Sequence, residues 1–148
     1  MSCILKLGLA LAVAQTTGTQ TPGLVAARGA AETAHALVDA LLARNVDGLC
    51  QLTPAPFSFD GVEARSREEV RRAWIHVLQR HTVSGRKLGG IELLSYEDLV
   101  KRYGAPPERL AALPLAGSEA AVVDLGGRPT IILMKKRGTT YVPFAITD

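Results

Sequence analysis

One acid and one histidine have the types and surroundings of a general acid–base pair, and we take Asp60 and His81 as candidate catalytic residues. Asp60 directly follows the apolar run Phe57-Ser58-Phe59, where burial would raise the pKa of its carboxyl group towards that of a base. His81 lies one turn beyond Val77 on the apolar side of a predicted helix. Each residue also has a purely structural interpretation. Asp60 begins an Asp-Gly turn pair, and a histidine near a helix C-terminus interacts favourably with the helix dipole.

Aromatic side chains supply the candidates for contacting a ligand, and these are Trp74, Phe57, Phe59 and Tyr96. Trp74 equally fits core packing, and Tyr96 fits the packing of a short helix. No histidine–carboxylate spacing indicates a metal site, no glycine-rich phosphate loop follows a strand, and no nucleophile elbow is present. The sequence therefore predicts no metal and no cofactor.

The composition is typical of a globular domain. The 148 residues suit one domain with one core, and hydrophobic residues make up 47% against 21% charged. The net charge of +3 is small, and its densest cluster, Lys135-Lys136-Arg137, has the position of a hairpin tip. Aromatic residues make up only 5% of the chain, too few for a base-stacking platform. Nucleic acid is therefore not an expected partner.

The N-terminal residues form a separate segment. The apolar stretch CILKLGLALAVA ends in a cleavage-type Ala-Val-Ala sequence and is shorter than the roughly 20 residues of a transmembrane span. We predict a signal peptide over residues 1–14, a disordered linker over 15–25 and one domain over 26–148. The protein is then exported, periplasmic or secreted, and the alternative is a cytoplasmic protein with a frayed tail. Cleavage would leave Cys50 alone, as a small buried residue without a disulfide.

The body of the chain is predicted to be α+β. Apolar residues at three- and four-residue steps predict a helix over residues 26–44, which the turn Val46-Asp47-Gly48 ends. A short turn of helix follows around Leu49 to Leu52, and then a hairpin around Asp60-Gly61. Ser66 and Glu69 form a capping box for the next helix.

The C-terminal half predicts a short helical segment and then a meander. Ser95 caps a helix that Gly104 ends, and Pro107 begins one further turn or two, to about Leu113. Three apolar runs separated by glycine turns then predict antiparallel strands, and Pro143 predicts an edge or a bulge. The middle run, Ile131 to Met134, is apolar on both alternations, so both of its faces must be covered. We therefore expect a homodimer through the sheet.

The order of these elements resembles the nuclear transport factor 2-like superfamily, which includes ketosteroid isomerase-like and polyketide cyclase-like proteins. The likeness covers roughly residues 26–148. Its best local piece is Ala43-Arg44-Asn45-Val46-Asp47-Gly48-Leu49, similar to the family's A-x-D-x-D-G-L/I turn, with Asn45 in place of the first acid. The segment from Ser95 to Leu113 departs from the family pattern and looks like an insertion that covers the mouth of the cavity.

The resemblance implies a cone-shaped, cystatin-like α+β barrel, in which a curved antiparallel sheet wraps around the N-terminal helices and encloses a pocket. In isomerase-like members a general base ends the first strand, where this chain has Asp60. The family's oxyanion donors are a tyrosine on the first helix and an acid on a late strand. Leu37 and either Ile131 or Ile132 take those positions here. Because one such donor contributes about 2.7–4 kcal/mol, steroid-type isomerisation is not expected.

Three functions stay open at this stage. The first is a non-catalytic module of the cell envelope that binds a small apolar ligand or a peptide. The second is an isomerase, dehydratase or hydrolase that uses Asp60 with His81, which requires both side chains to face one cavity. The third is an interaction protein that pairs through the outer face of its sheet, which an uncovered face at Ile131 to Met134 would favour.

Overall fold

The computed structural model describes residues 28–81 and 88–148. The predicted signal peptide and linker, residues 1–25, lie outside these ranges. Four α-helices and six strands occupy the described residues, and the fold is α+β with an open, curved sheet. No helix in residues 28–81 or 88–148 combines the length and the apolar character that a membrane span needs.

The N-terminal half holds three helices and a hairpin. The bounds are α1 Ala30–Leu42, α2 Val46–Leu52, β1 Phe57–Phe59, β2 Val62–Ala64 and α3 Arg67–Arg80. The Ser66 capping box is confirmed: Ser66 Oγ accepts from the Glu69 N–H at 3.2 Å, and the Glu69 carboxylate accepts from the Ser66 N–H at 3.3 Å.

Two boundaries differ from the prediction. Helix α1 begins at Ala30, because the Glu32 carboxylate accepts from the Gly29 N–H at 3.3 Å and fixes the start there. Residues 46–48 were predicted as a turn, but they are the first turn of α2. Asn45 caps this helix, since its side-chain oxygen accepts from the Gly48 N–H at 3.0 Å.

The C-terminal half holds the remaining strands and one further helix. The bounds are β3 Leu88–Ser95, α4 Tyr96–Tyr103, a 3₁₀ turn Glu108–Leu110, β4 Glu119–Leu125, β5 Pro129–Arg137 and β6 Thr140–Thr147. The Ser95 cap is confirmed by the hydrogen bond from the Asp98 N–H to Ser95 Oγ, at 3.1 Å. Pro107 stands just before the 3₁₀ turn rather than inside a helix.

The sheet has the order β2-β1-β6-β5-β4-β3. The meander β4–β5–β6 is antiparallel, as predicted. The predicted wholly antiparallel sheet is nevertheless wrong, because β1 pairs with β6 in parallel and the sheet is mixed. Pro143 pairs with Met134 of β5, while β1 pairs with β6 only at Ala145 and Ile146. Strand β6 runs between β1 and β5, and the register shifts opposite Pro143, which is the bulge alternative.

One sheet separates two apolar cores. Helices α1, α2 and α3 cover the inner face, where Ile132 and Met134 are buried against Leu37 and Trp74. The segment 96–115 covers the outer face, where Leu133 is buried with Leu99, Leu110 and Leu115. The prediction that residues 95–113 cover the cavity mouth is therefore wrong for most of the segment, because its leucines pack on the opposite face of the sheet.

This arrangement removes the reason for expecting a dimer. Ile132 is 1% exposed, Leu133 2% and Met134 0%, all within one chain. The prediction of a homodimer assumed that a second subunit was needed to cover one face of β5. The segment 96–115 of the same chain covers that face instead. The outer face of β5 is therefore not uncovered, as the interaction-protein hypothesis required.

Candidate functional site

Several strands terminate at the same end of the sheet, and a cavity of about 170 Å³ lies there. Because β1 and β6 are parallel, their C-terminal residues lie next to each other at this end of the sheet. The Asp60 N–H donates to the Ile146 carbonyl at 2.8 Å. The hairpin turn between β4 and β5 lies at the same end of the sheet, and the C-terminal turns of α1 and α3 close the remaining side of the cavity.

The apolar lining of the cavity is buried or half-buried, whereas its polar lining, apart from the buried Thr147 and the half-buried Thr130, is exposed and forms the rim. Its apolar lining comes from both helices and from three strands: Leu41, Phe59, Val77, Leu125 and Ile146. Its polar lining comes from strand ends and from the residue after α3: Asp60, His81, Arg128, Thr130, Thr147 and Asp148. This division suits a small ligand with an apolar body and a polar group that stays close to water.

The predicted aromatic ligand contacts fall into three different places. Phe59 lines the cavity, and its ring packs edge-on against Trp74 at a centroid distance of 4.9 Å. Trp74 and Phe57 are both fully buried behind it. Tyr96 lines a different cavity, of about 130 Å³, on the outer side of the sheet. Trp74 and Phe57 therefore support Phe59, and Tyr96 stands apart from this site.

Trp74 is fixed by a buried polar contact. Its indole N–H donates to Thr53 Oγ1 at 2.8 Å, and the Thr53 hydroxyl donates to the Leu49 carbonyl at 2.7 Å. Thr53 is only 1% exposed. These two hydrogen bonds connect α3 to the end of α2 and hold the aromatic cluster beneath the cavity.

Asp60 occupies the first central position of a two-residue hairpin turn. Its φ is 50° and that of Gly61 is 88°, and Phe59 pairs with Val62, as in a type I′ turn. Gly61 is required for a second reason: a Cβ there would lie 2.3 Å from the Arg109 carbonyl oxygen. The turn interpretation of Asp60 is therefore confirmed, and the turn is packed directly against the 3₁₀ segment.

The Asp60 carboxylate is held by two neighbours. Arg109 Nε donates to it at 2.7 Å and Thr147 Oγ1 donates to it at 2.6 Å. Desolvation is the largest single influence on the pKa of Asp60 and raises it, but the Thr147 and Arg109 hydrogen bonds and the Arg109 charge together outweigh it. The pKa of Asp60 is therefore lowered. The sequence argument for a base required a raised pKa and a buried group, whereas this side chain is 49% exposed.

His81 and Asp60 line the same cavity, as the enzyme hypothesis required. His81 is the residue after α3, where its backbone N–H donates to the Val77 carbonyl at 2.9 Å. Its side chain is exposed at the rim rather than turned into the core. The cavity thus brings together Asp60, His81 and Phe59 among the predicted residues.

Sequence reasoning missed Arg109, Arg128 and Thr147. Arg109 belongs to the segment that packs on the outer face, and no local pattern connects it to Asp60. Thr147 is opposite Asp60 only because β1 and β6 pair in parallel. Arg128 did have a local signal, since it directly follows Gly126-Gly127, a turn pair at the end of an apolar strand.

No group of three or more His, Cys, Asp or Glu side chains in the described part of the chain could hold a metal ion. Leu37 and Ile132 are buried in the inner core, and Ile131 is half-buried. Burial also raises the pKa of the Cys50 thiol, so little of it is the reactive thiolate at neutral pH.

No protein-family model matches this chain, and no curated protein matches it.

Proposed function

We propose that this chain is a divergent nuclear transport factor 2-like domain that binds a small ligand, without transforming it, in the cavity at the end of β1 and β6. The observation that carries the proposal is the cavity itself: apolar side chains form its interior, and polar groups collect at its rim. The superfamily assignment is supported by the sheet order, by the hairpin β1–β2 at one edge, and by the helices on the inner face. In this proposal the curved sheet and the helices on its inner face form the cone-shaped barrel of that superfamily.

Binding is favoured over catalysis by the state of Asp60. Its carboxylate already accepts hydrogen bonds from Arg109 and Thr147, and its lowered pKa makes it a weak base at neutral pH. The buried Leu37 and Ile132 offer no donor to a developing oxyanion.

The binding test uses a matched pair of variants on α3. Val77 lines the cavity, whereas Ile75 is 37% exposed on the other side of the helix. Thermal-shift screening of small amphipathic compounds should find ligands that stabilise the wild type, by about 2.7 kcal/mol at a hundred times Kd. Val77→Phe fills the cavity and should lose these ligands, while Ile75→Phe should keep them. Equal shifts in both variants would refute binding in this cavity.

An enzyme remains the second candidate because Asp60 and His81 line one cavity. In that case wild-type protein should convert a bound ligand and Asp60→Asn should not, with ligand affinity nearly unchanged. Conversion that disappears in Asp60→Asn would replace the binding proposal with this one.

We also propose that the protein is exported to the cell envelope. The support is the apolar stretch and Ala-Val-Ala sequence within residues 1–14. N-terminal sequencing of protein from the native host should give a start soon after Ala14. An intact Met1 on protein from the cytoplasm would contradict export.

A further inference from the structure

The charged groups that line the cavity or bond to its lining differ in whether they already have partners. Arg109 has two: its Nε donates to Asp60 at 2.7 Å, and its Nη2 donates to the Asp148 carbonyl at 3.2 Å. Asp60 also accepts from Thr147. On this side of the rim the acid is paired with a cation, and neither needs a ligand to balance its charge.

Arg128, in contrast, presents a cation without a partner in residues 28–81 or 88–148. Its side chain is exposed and takes part in no hydrogen bond or ion pair there, although it lines the cavity. Asp148 also stands at this rim, on the Arg109 side, where its carbonyl accepts from Arg109. A cationic ligand at Asp148 is therefore the competing possibility, and the experiment includes it.

The backbone holds Arg128 in place. Gly126 and Gly127 have φ of 71° and 88°, and the Leu125 N–H donates to the Arg128 carbonyl at 3.2 Å, which closes a two-residue hairpin turn. Asp124 strengthens the turn by accepting from the Gly127 N–H at 2.7 Å. Residues on either side of such a turn point to the same face of the sheet. Arg128 therefore stands beside Leu125 on the cavity face.

We propose that the ligand is an amphipathic carboxylate whose head group binds the Arg128 guanidinium while its apolar body contacts Phe59, Val77 and Ile146. This inference rests on the proposed function. A guanidinium matches a carboxylate with two parallel hydrogen bonds, and the Thr130 hydroxyl in the cavity lining is a further donor. A cavity of about 150 Å³ accepts benzene, so a body of about six carbons suits the 170 Å³ present here.

The experiment compares three probes of equal length: hexanoate, 1-hexanol and hexylamine, each titrated by NMR chemical-shift perturbation. The wild type should bind hexanoate about tenfold more tightly than 1-hexanol, and hexylamine most weakly, because a charge-assisted hydrogen bond is stronger than a neutral one. Added salt should reduce this preference.

Two variants locate the effect. Arg128→Gln removes the charge at the rim and should abolish most of the tenfold preference for hexanoate over 1-hexanol. Arg72→Gln makes the same change on the exposed side of α3, away from the cavity, and should behave as wild type. Both side chains are exposed, so both variants should keep the wild-type unfolding midpoint.

The outcomes separate this inference from the proposed function. If 1-hexanol binds as tightly as hexanoate, or hexylamine binds more tightly, the carboxylate class is refuted while small-ligand binding stands. A hexanoate preference that survives in Arg128→Gln refutes the role of Arg128. If neither these probes nor the amphipathic compounds of the thermal-shift screen bind in the cavity, both the inference and the proposed function fail.

Discussion

At the scale of single residues, Asp60 shows how one side chain can satisfy a local and a distant requirement at once. The type I′ turn needs a residue that tolerates positive φ, which Asp and Asn do better than most. The ion pair with Arg109 is a separate, tertiary contact. Asn tolerates the positive φ of the turn as Asp does, but it carries no charge to pair with Arg109. The substitution Asp60→Asn therefore reports on the energy of the ion pair.

Asp60→Asn should therefore destabilise the protein only slightly at neutral pH. The two side chains are 49% and 44% exposed, so solvent screens the pair and the expected loss is about 0.2–1 kcal/mol. The pKa of Asp60 is lowered in the folded state, so its carboxylate stabilises the fold above the unfolded pKa, and that contribution is lost as pH falls through the folded pKa. Urea unfolding should show a difference at pH 7 that shrinks below about pH 4. Asp39→Asn, at an exposed position of α1, makes the same substitution away from Arg109 and serves as the control at pH 7.

The buried hydroxyl of Thr53 should contribute more than the exposed ion pair. Thr53→Val leaves the Trp74 indole N–H without its acceptor inside the core, which should cost about 1–3 kcal/mol. The free energy of unfolding can be followed through the fluorescence of Trp74, the single tryptophan of the chain. Thr139→Val makes the same change at an exposed turn position and should cost less than about 0.5 kcal/mol. Equal losses in the two variants would show that the Trp74–Thr53 bond contributes little.

At the scale of elements, the parts of the fold that depend on neighbouring residues were predictable. Ser66 and Ser95 were identified as caps because a cap needs only the next three residues. Asp60-Gly61 and Gly126-Gly127 were identified as turns for the same reason. Asp60 and Phe59 were also predicted as site residues from their immediate neighbours in the sequence. Helix α2 was predicted too short, because the capping power of Asn45 was not recognised.

The relations between distant elements were not predictable from these patterns. The parallel pairing of β1 with β6 joins residues far apart in the chain, so the contact of Asp60 with Thr147 had no local signal. The apolar pattern of the segment 96–113 predicted helices but not which face of the sheet they cover. Arg109 reaches Asp60 only because that segment packs against the β1–β2 hairpin. A charge pattern alone could not select Arg109 from the other exposed arginines.

The outer layer should be a substantial source of stability. Leu110 is 4% exposed and packs with Leu133 in the outer core, so Leu110→Ala should cost at least about 2 kcal/mol. Leu93, which is 39% exposed on β3, provides the control, and Leu93→Ala should cost clearly less. Urea unfolding measures both. A loss for Leu110→Ala as small as that for Leu93→Ala would mean that the outer layer packs only loosely on the sheet.

At the scale of the whole molecule, one sheet is shared by two apolar layers from the same chain. Strand β5 gives Ile132 and Met134 to the inner core and Leu133 to the outer core. Neither layer can be removed without exposing the same strand. The two cores should therefore unfold together, as small single domains usually do.

This architecture predicts that the protein is a monomer. A stable protein–protein interface buries at least about 1,200 Å², with an apolar centre. In the described residues the large exposed apolar side chains are spread over different elements: Val62 on β2, Ile75 on α3, Leu88 and Leu93 on β3, and Tyr103 on α4. Sedimentation at micromolar concentration should give a single species of monomer mass. A dimer would contradict the prediction, and Leu93→Lys would then locate the contact, because β3 is an edge strand and a charge there should dissociate a dimer that pairs through this edge but leave any other intact.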